Sequence, residues 1–344
     1  ENDGKILEED RKKFAAEVFK ETSKYDKMVN DYFVNTECLN IDVNKKSDLR
    51  YGENPHQSSS FYSSEKIDWV MHQGKKLSYN NYFDLESAIR IVLDFNTPAC
   101  SIIKHSNPCG FGLADNLLSA YEYAVESDPL SYFGGIVGFN GEVNGELAEE
   151  LTKPFLECII AKSFTNNALE IFQKKKNLRI VSIGNNFIFD EKTIRSVMGG
   201  YLVQDVDRYK EDIENSKVVS MKQPRKEDYK AIELAWKLVR YVKSNAILIS
   251  NSKMVLGVGA GQMSRVDSVK IAISKIKKSN INLDTVVLAS DAFFPFPDSL
   301  EIASKAGIKI IVQPGGSIKD DEIIKVANKL GIIMIFTGVR HFYH

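Results

Sequence analysis

The sequence predicts an α/β protein made of two layered units joined by a charged linker. Three observations carry this. From about Asn40 onward, short apolar runs alternate with segments of helical period; a polar stretch at 208–229, which holds Pro224, interrupts the pattern; and the alternation then resumes to the end of the chain. A chain of 344 residues is long enough for two domains.

The elements follow in order. The stretch 7–33 spaces Phe14, Val18, Met28, Val29, Tyr32 and Phe33 among Lys, Glu and Asp near helical period, so it reads as an amphipathic helical segment with nothing catalytic in it. Strands are expected at 99–103, 135–139, 159–161 and 178–183, because each is a short apolar run rich in branched residues. Helices are expected between them at 84–95, 113–126 and 168–175. Beyond the linker the helices fall at 230–242, 264–276, 298–306 and 320–330, and the strands at 246–250, 255–258, 285–289, 308–312 and 332–336. No fixed-period repeat is visible, so any duplication has to show in the architecture.

Bulk properties narrow the function. Lys+Arg 45 against Asp+Glu 46 leaves a net charge of −1, which argues against a nucleic-acid or membrane-surface partner, and any basic site must be local. Cys38, Cys100, Cys109 and Cys158 form no CxxC pair, so neither a disulfide framework nor a zinc site is implied; scattered thiols suit the core of a cytoplasmic protein. No apolar run approaches the roughly 18 residues of a membrane span, and no leader-like segment opens the chain. The first residue is Glu1 and not Met, which fits a trimmed, a processed or a partial chain equally.

Several segments have the residue types for chemistry. ACSIIKHSNPCG runs a strand into a turn at Lys104 and His105, a pair suited to acid–base work at a strand exit or, equally, to a hydrogen-bonded His beside a solvated Lys. LRYGENPHQ holds Arg50, Tyr51, Asn54, His56 and Gln57 in a Gly- and Pro-containing loop; a guanidinium beside an aromatic suits a phosphate or a flat heterocycle, and a solvated turn tolerates the same residues. In LSYNNYFD, Asn81 and Asp84 are similarly ambiguous, and Asp84 could simply cap the next helix. LGVGAGQMSR places Gly257, Gly259 and Gly261 before a helix and invites a dinucleotide reading. The spacing is GxGxG instead of GxGxxG, and Lys277-Lys278 stand where a ribose-binding acid is expected, so close backbone packing explains the glycines at least as well. ASDAFFPFPDS sets Phe293, Phe294 and Phe296 as an apolar lip that should pack inward or receive a flat ligand, VQPGGS supplies Ser317 after two glycines, and FTGVRHFYH ends the chain on Arg340, His341, Phe342 and His344.

Taken in order, LRYGENPHQ, KLSYNN, KHSNPCG, SYFGGIV, KSNAI, GVGAGQMSRVDS, SDAFFPFPD, QPGGS and FTGVRHFYH closely resemble the AICAR transformylase family over residues 40–344, while 1–37 resemble the last helices of the IMP cyclohydrolase domain that precedes it there. The resemblance implies two cytidine-deaminase-like αβα subdomains, at 38–207 and 230–344, with 208–229 as linker. It implies formyl transfer from 10-formyltetrahydrofolate to the amine of AICAR, with Lys104, His105, Asn245, Arg265 and His344 catalytic. Arg50, Tyr51, Asn81, Gly134, Glu157, Phe293, Arg340 and Phe342 match positions toward AICAR, and Val266, Asp298, Ser317 and Ile318 match the folate side. It further implies a homodimer whose sites draw on both chains, and no cyclohydrolase activity from this chain alone. A zinc deaminase needs P-C-x-x-C, yet Pro108-Cys109 is followed by Gly110-Phe111-Gly112, so no zinc is expected; a monovalent cation is left open. The rival readings are an NAD(P)-dependent oxidoreductase using the GVGAG turn and a silent nucleotide-binding module.

Overall fold

The computed structural model describes residues 6–34, 39, 41–64, 69–185, 187, 189–208, 213–276 and 283–344; Cys38 and Lys277-Lys278 lie outside them. Contacts divide the chain into two compact units, one of Glu1–Lys46 with Tyr62–Lys66 and one of Ser47–Phe61 with Ile67–His344. The first is dominated by a single helix, α1 (Glu8–Val34), with three acidic residues in its first turn where the helix dipole favours them. None of its residues is buried.

In the second unit the expected alternation is present. In chain order the strands and helices, including those at the unit boundary, are β1 (Asn44–Asp48), β2 (Ser60–Ser63), β3 (Val70–Gln73), α2 (Tyr79–Leu93), β4 (Ala99–Lys104), β5 (Asn107–Leu113), α3 (Leu117–Ser127), β6 (Ile136–Phe139), β7 (Glu142–Val143), α4 (Gly145–Thr152), β8 (Cys158–Ala161), β9 (Ser163–Phe164), α5 (Asn166–Phe172) and β10 (Arg179–Ser182). An exposed hairpin follows, β11 (Lys192–Val197) and β12 (Gly200–Asp205). Then come β13 (Lys217–Val218), α6 (Tyr229–Val239), β14 (Ile247–Ser250), β15 (Val255–Gly259), α7 (Arg265–Lys275), β16 (Val287–Ser290), α8 (Asp298–Lys305), β17 (Ile310–Gln313), α9 (Asp320–Leu330) and β18 (Ile333–Phe336).

The duplication that no sequence period revealed is plain in the sheets. One is ordered β3-β10-β8-β6-β4-β5 and the other β13-β18-β17-β16-β14-β15, so each places its own strands first, sixth, fifth, fourth, second and third. The directions repeat as well. β5, β6, β8 and β10 point one way, as do β15, β16, β17 and β18, while β4 and β14 run antiparallel to both their neighbours and the edge strands β3 and β13 run antiparallel to β10 and β18. β13 makes the middle of the expected linker part of the second sheet: its Lys217 and Val218 pair with Phe336 and Ile335.

Pleating sorts each strand's side chains to two cores. Ala99 and Ile103 of β4, with Val287 and Ala289 of β16, join a central cluster with Ile89 and Val92 of α2 and Ala235 and Trp236 of α6. Cys100 and Ile102 face an outer core with residues of α3, α4 and α5, and Leu288 faces another with α7, α8 and α9. Both faces of each sheet are therefore covered, which is why the strands read as continuous apolar runs. Burial also pushes the thiols of Cys109 and Cys158 up to about 12, so they stay protonated. Among the described residues no helix is long and apolar enough to cross a membrane.

The glycines of the supposed dinucleotide turn have a different task. Gly257 and Gly259 lie inside the antiparallel strand β15, where an added Cβ would stand 2.1 Å from the Ala272 carbonyl oxygen and 2.0 Å from that of Ser268, both on α7. Gly110 and Gly112 of β5 meet Ala124 and Ala120 of α3 in the same way, at 2.1 and 2.2 Å. The motif is thus a strand-on-helix packing device used once in each repeat, and the oxidoreductase reading loses its basis. Gly259→Ala is expected to cost about 1–3 kcal/mol through overpacking against helix backbone. Gly200→Ala, whose nearest neighbour would be 3.8 Å away, should be near neutral; equal melting temperatures for the two variants would refute the packing role.

Candidate active site

Lys104 and His105 sit at the tip of the β4–β5 hairpin. Lys104 pairs with Asn107, leaving His105 and Ser106 as a two-residue turn with φ of 51° and 60°. Such a turn needs left-handed backbone at both positions and normally recruits Asn-Gly. A His-Ser pair there is strained, and the strain is offset locally: the Ser106 N–H donates to the Asp84 carboxylate at 2.6 Å and its hydroxyl to the same oxygen at 3.3 Å. Asp84 is therefore not the cap of α2, since Ser78 and Asn81 form the capping box and Asp84 lies within the helix. Burial raises the Asp84 carboxyl above its usual range, opposed by the Ser106 donors and by His105.

Around this tip the first repeat gathers Asn81, Gly134 and Glu157. Asn81 Nδ2 donates to Glu157 at 3.3 Å, and the buried Arg179 guanidinium stands 3.4 Å from the same carboxylate. Lys104 Nζ lies 3.7 Å and the Phe155 ring 3.4 Å from where a Gly134 Cβ would be, both ordinary contacts, so it is the left-handed backbone, φ 67°, that favours glycine here. β4 runs against the parallel strands, since Ile103 faces Ile136. The tip therefore stands at their amino ends, not at the carboxyl-end crevice expected for a strand exit.

The second repeat uses the opposite edge. Asn245 precedes β14, next to the carboxyl ends of β15 and β16, because Ile247 faces both Gly259 and Ser290. Arg265, at the start of α7, is buried; it donates to Asn245 Oδ1 at 2.9 Å, to Ser290 Oγ at 2.8 Å and to the fully buried Asp291. Asn245 Nδ2 is held by the Gln262 and Met263 carbonyls at 2.9 and 3.1 Å. Val266 follows Arg265 on α7, Asp298 opens α8, and Ser317 and Ile318 lie in the loop after β17, so all four sit along this one edge. Of the lip, Phe294 packs inward, while Phe293, Phe296 and Ile318 stay exposed.

The two edges meet. Asn107 Oδ1, at the base of the hairpin turn, accepts from the Lys243 N–H at 3.0 Å, two residues before Asn245. The tail joins them: Ser244 and Tyr343 exchange two hydrogen bonds of 2.8 and 3.1 Å, and the Tyr343 phenol lies close to Ser87 on α2. Burial raises the Tyr343 phenol, with Glu86 adding to the effect and Arg90 opposing it. Arg340 lies over the Phe342 ring at 4.3 Å, and Phe342 contacts the His344 ring at 5.7 Å. Arg50 folds over its neighbour Tyr51 at 4.6 Å, in a loop fixed to the first turn of α2 by an Asn80–Glu53 bond of 3.2 Å. A hollow of about 490 Å³ lined by Phe95, Asn116, Asn140 and Lys162 lies at the other end of the first sheet's strands, away from these groups.

A family model described as the AICARFT/IMPCHase bienzyme matches residues 1–275. The chain belongs to that family. The bifunctional purine biosynthesis protein PurH of Bacillus cereus strain B4264 is 46% identical over 355 residues, covering 99% of this chain and 69% of that protein. The protein of the same name from Bacillus thuringiensis strain Al Hakam is also 46% identical, again covering 99% of this chain and 69% of its own length. A solved structure of Acinetobacter baumannii RibD, form 1, aligns with 12% identity over 74% of this chain and 73% of its own, at a TM-score of 0.24, an overlap too low to bear on the fold.

In this member of the bienzyme family, sequence reasoning missed Asp291 and Ser244. Asp291 holds Arg265 through one oxygen and accepts the Ser244 hydroxyl at 2.5 Å through the other, while its carbonyl receives the His341 N–H at 3.0 Å. It lies in the motif SDAFFPFPD, where the phenylalanines drew notice and the carboxylate did not. A buried Arg in GQMSR was the available signal, because a guanidinium without an acidic partner does not stay inside.

Proposed function

We propose that this chain transfers a formyl group from 10-formyltetrahydrofolate to the 5-amino group of AICAR, giving FAICAR and tetrahydrofolate, the penultimate step of IMP synthesis. Family membership supports the reaction. The observation that carries the site is the bond from Lys243 to Asn107, which seats the Lys104–His105 tip beside the Asn245–Arg265 pair.

The aromatic amine is a weak nucleophile, and each group near the tip answers one difficulty. His105 removes the amine proton as nitrogen attacks the formyl carbon, a role worth roughly 10²–10⁴ in rate. Lys104 stabilises the oxyanion of the tetrahedral intermediate. Collapse breaks the bond from the formyl carbon to N10 of the folate, which takes up a proton from Lys104 or the His105 imidazolium. Asn245, held at three points, orients the amine. Val266, Asp298, Ser317 and Ile318 receive the folate beside the exposed Phe293, and Arg50 and Arg340 serve the phosphate of AICAR, with Tyr51, Asn81, Gly134, Glu157 and Phe342 lining its ring and carboxamide. The repeated strand order supports two cytidine-deaminase-like units, and exposed Leu130, Phe133 and Phe155 support a homodimer with shared sites; the compartment is read as the cytoplasm from the reaction alone. Residues 1–37 are read as the end of a cyclohydrolase domain, without ring-closing activity of their own.

AICAR-dependent release of tetrahydrofolate from the 10-formyl donor is the test, and its absence at saturating substrates sinks the proposal. Arg50→Ala should weaken AICAR binding about 10- to 100-fold, the value of one or two charge-assisted bonds. Unchanged binding removes Arg50 from the phosphate.

A further inference from the structure

The last residues of a chain usually fray, yet this tail carries three of the side chains assigned to the site. His341 is the one it buries. The residue is 1% exposed, its Nδ1 stands 2.6 Å from Asp207 Oδ2, and its ring packs on Trp236 at a centroid distance of 5.2 Å. At that separation from a carboxylate, Nδ1 carries the proton and donates it. Trp236 belongs to α6 and is itself 1% exposed, so the imidazole rests on the central core. Asp207 follows β12, and the adjacent Arg208 clamps the base of that hairpin by donating to the Phe189 and Asp190 carbonyls at 3.1 and 2.9 Å.

The consequences run along the tail. The His341 N–H donates to the carbonyl of Asp291, whose side chain holds Arg265, and two residues on Tyr343 pairs with Ser244, the neighbour of Asn245. His341 is the one buried residue of 340–344, and the exposed Arg340, Phe342 and His344 touch one another in turn. The tail is anchored at His341 and at the Tyr343–Ser244 bonds, and its basic and aromatic neighbours are presented.

We infer that His341, held by Asp207 and stacked on Trp236, is a positioning residue that fixes the carboxyl-terminal tail so that Arg340, Phe342 and His344 face the transfer site. It touches no reacting atom and acts through the tail and Asp291. The kinetic part of this inference rests on the transfer reading above; the structural part does not.

The experiment compares His341→Leu, which fills the space without a donor, with His341→Asn, whose amide nitrogen can replace Nδ1, and Asp207→Asn. Tail anchoring is read by the rate at which carboxypeptidase releases His344 and Tyr343 from the folded chain, with no substrate present. Release is expected to quicken at least about tenfold in His341→Leu, and to stay within about threefold of the parent in His341→Asn. In steady state His341→Leu should raise KM for AICAR about tenfold, with a smaller fall in kcat, and His341→Asn should restore most of it. Parental release rates and KM in His341→Leu overturn the inference. So does equal damage in both His341 variants together with a common loss of thermal stability, because a merely structural side chain gives that pattern. If the parent chain shows no formyl transfer, the release rates still decide whether His341 anchors the tail.

Discussion

Arg265→Met is expected to destabilise the second repeat by about 3–5 kcal/mol, the usual cost of removing one partner from a buried ion pair. The methionine fills most of the space, so little of the loss is cavity. What remains is Asp291, fully buried, with one oxygen on Ser244 and the other deprived of its guanidinium. Its charge has lost its partner in a medium that solvates it poorly. The same change takes the donor from Asn245 Oδ1 and from Ser290 Oγ, which keeps only its bond to the Ala292 carbonyl. Denaturant unfolding reads the result as a lower midpoint at unchanged slope. Replacing the pair together, Arg265→Met with Asp291→Leu, should recover a large part of the stability, because two apolar side chains leave no orphaned charge. It should not recover activity, since Asn245 has lost the donor that aims it. A single variant that loses under about 1 kcal/mol would show that the pair is solvated and that the network around Asn245 is not held as described.

That separation between stability and aim also explains what the sequence could show. Most strands and helices of both repeats are legible because each strand is covered on both faces and each helix on one, which produces continuous apolar runs and helical period, whereas the eight-residue α4 is too short to show one. The leading strands β3 and β13 are not legible, since they are short edge strands with exposed polar positions, as in the Val-Met-His-Gln of β3. β5 lies in a stretch for which the sequence predicts no strand, since Pro108, Gly110 and Gly112 are unusual inside one; the two glycines are the places where the strand lies against α3. Within the site, residue types announced Lys104 and His105, and only the resemblance pointed to Asn245 and Arg265; their relative placement depends on backbone bonds such as Lys243 to Asn107, which leave no trace in residue identity. The same holds for Asp84, whose partner is a main-chain N–H.

The largest kinetic effect is expected at His105, and its backbone makes the test unusually clean. Replacement by Ala removes the imidazole but also leaves a β-carbon at φ 51° with no polar group to favour it, so a loss of rate could be blamed on the turn. Asn and Gly avoid this, because both adopt the left-handed region readily. His105→Asn should therefore keep the hairpin, the Ser106–Asp84 bond and AICAR affinity, and lose about 10²-fold or more in kcat as the base disappears. His105→Gly should lose as much rate while the folded chain gains up to about 1 kcal/mol, because local strain is relieved, less the entropy glycine adds to the unfolded state. A protein that becomes more stable and slower by the same substitution has been spending backbone strain on the aim of one side chain. Added imidazole, small enough to enter beside Gly134, should restore part of the rate in His105→Gly and none in Lys104→Met, whose missing group is a fixed charge and not a proton acceptor. Near-parental turnover in His105→Asn would remove the imidazole from the reaction and leave Lys104 and Asn245 to be explained without it.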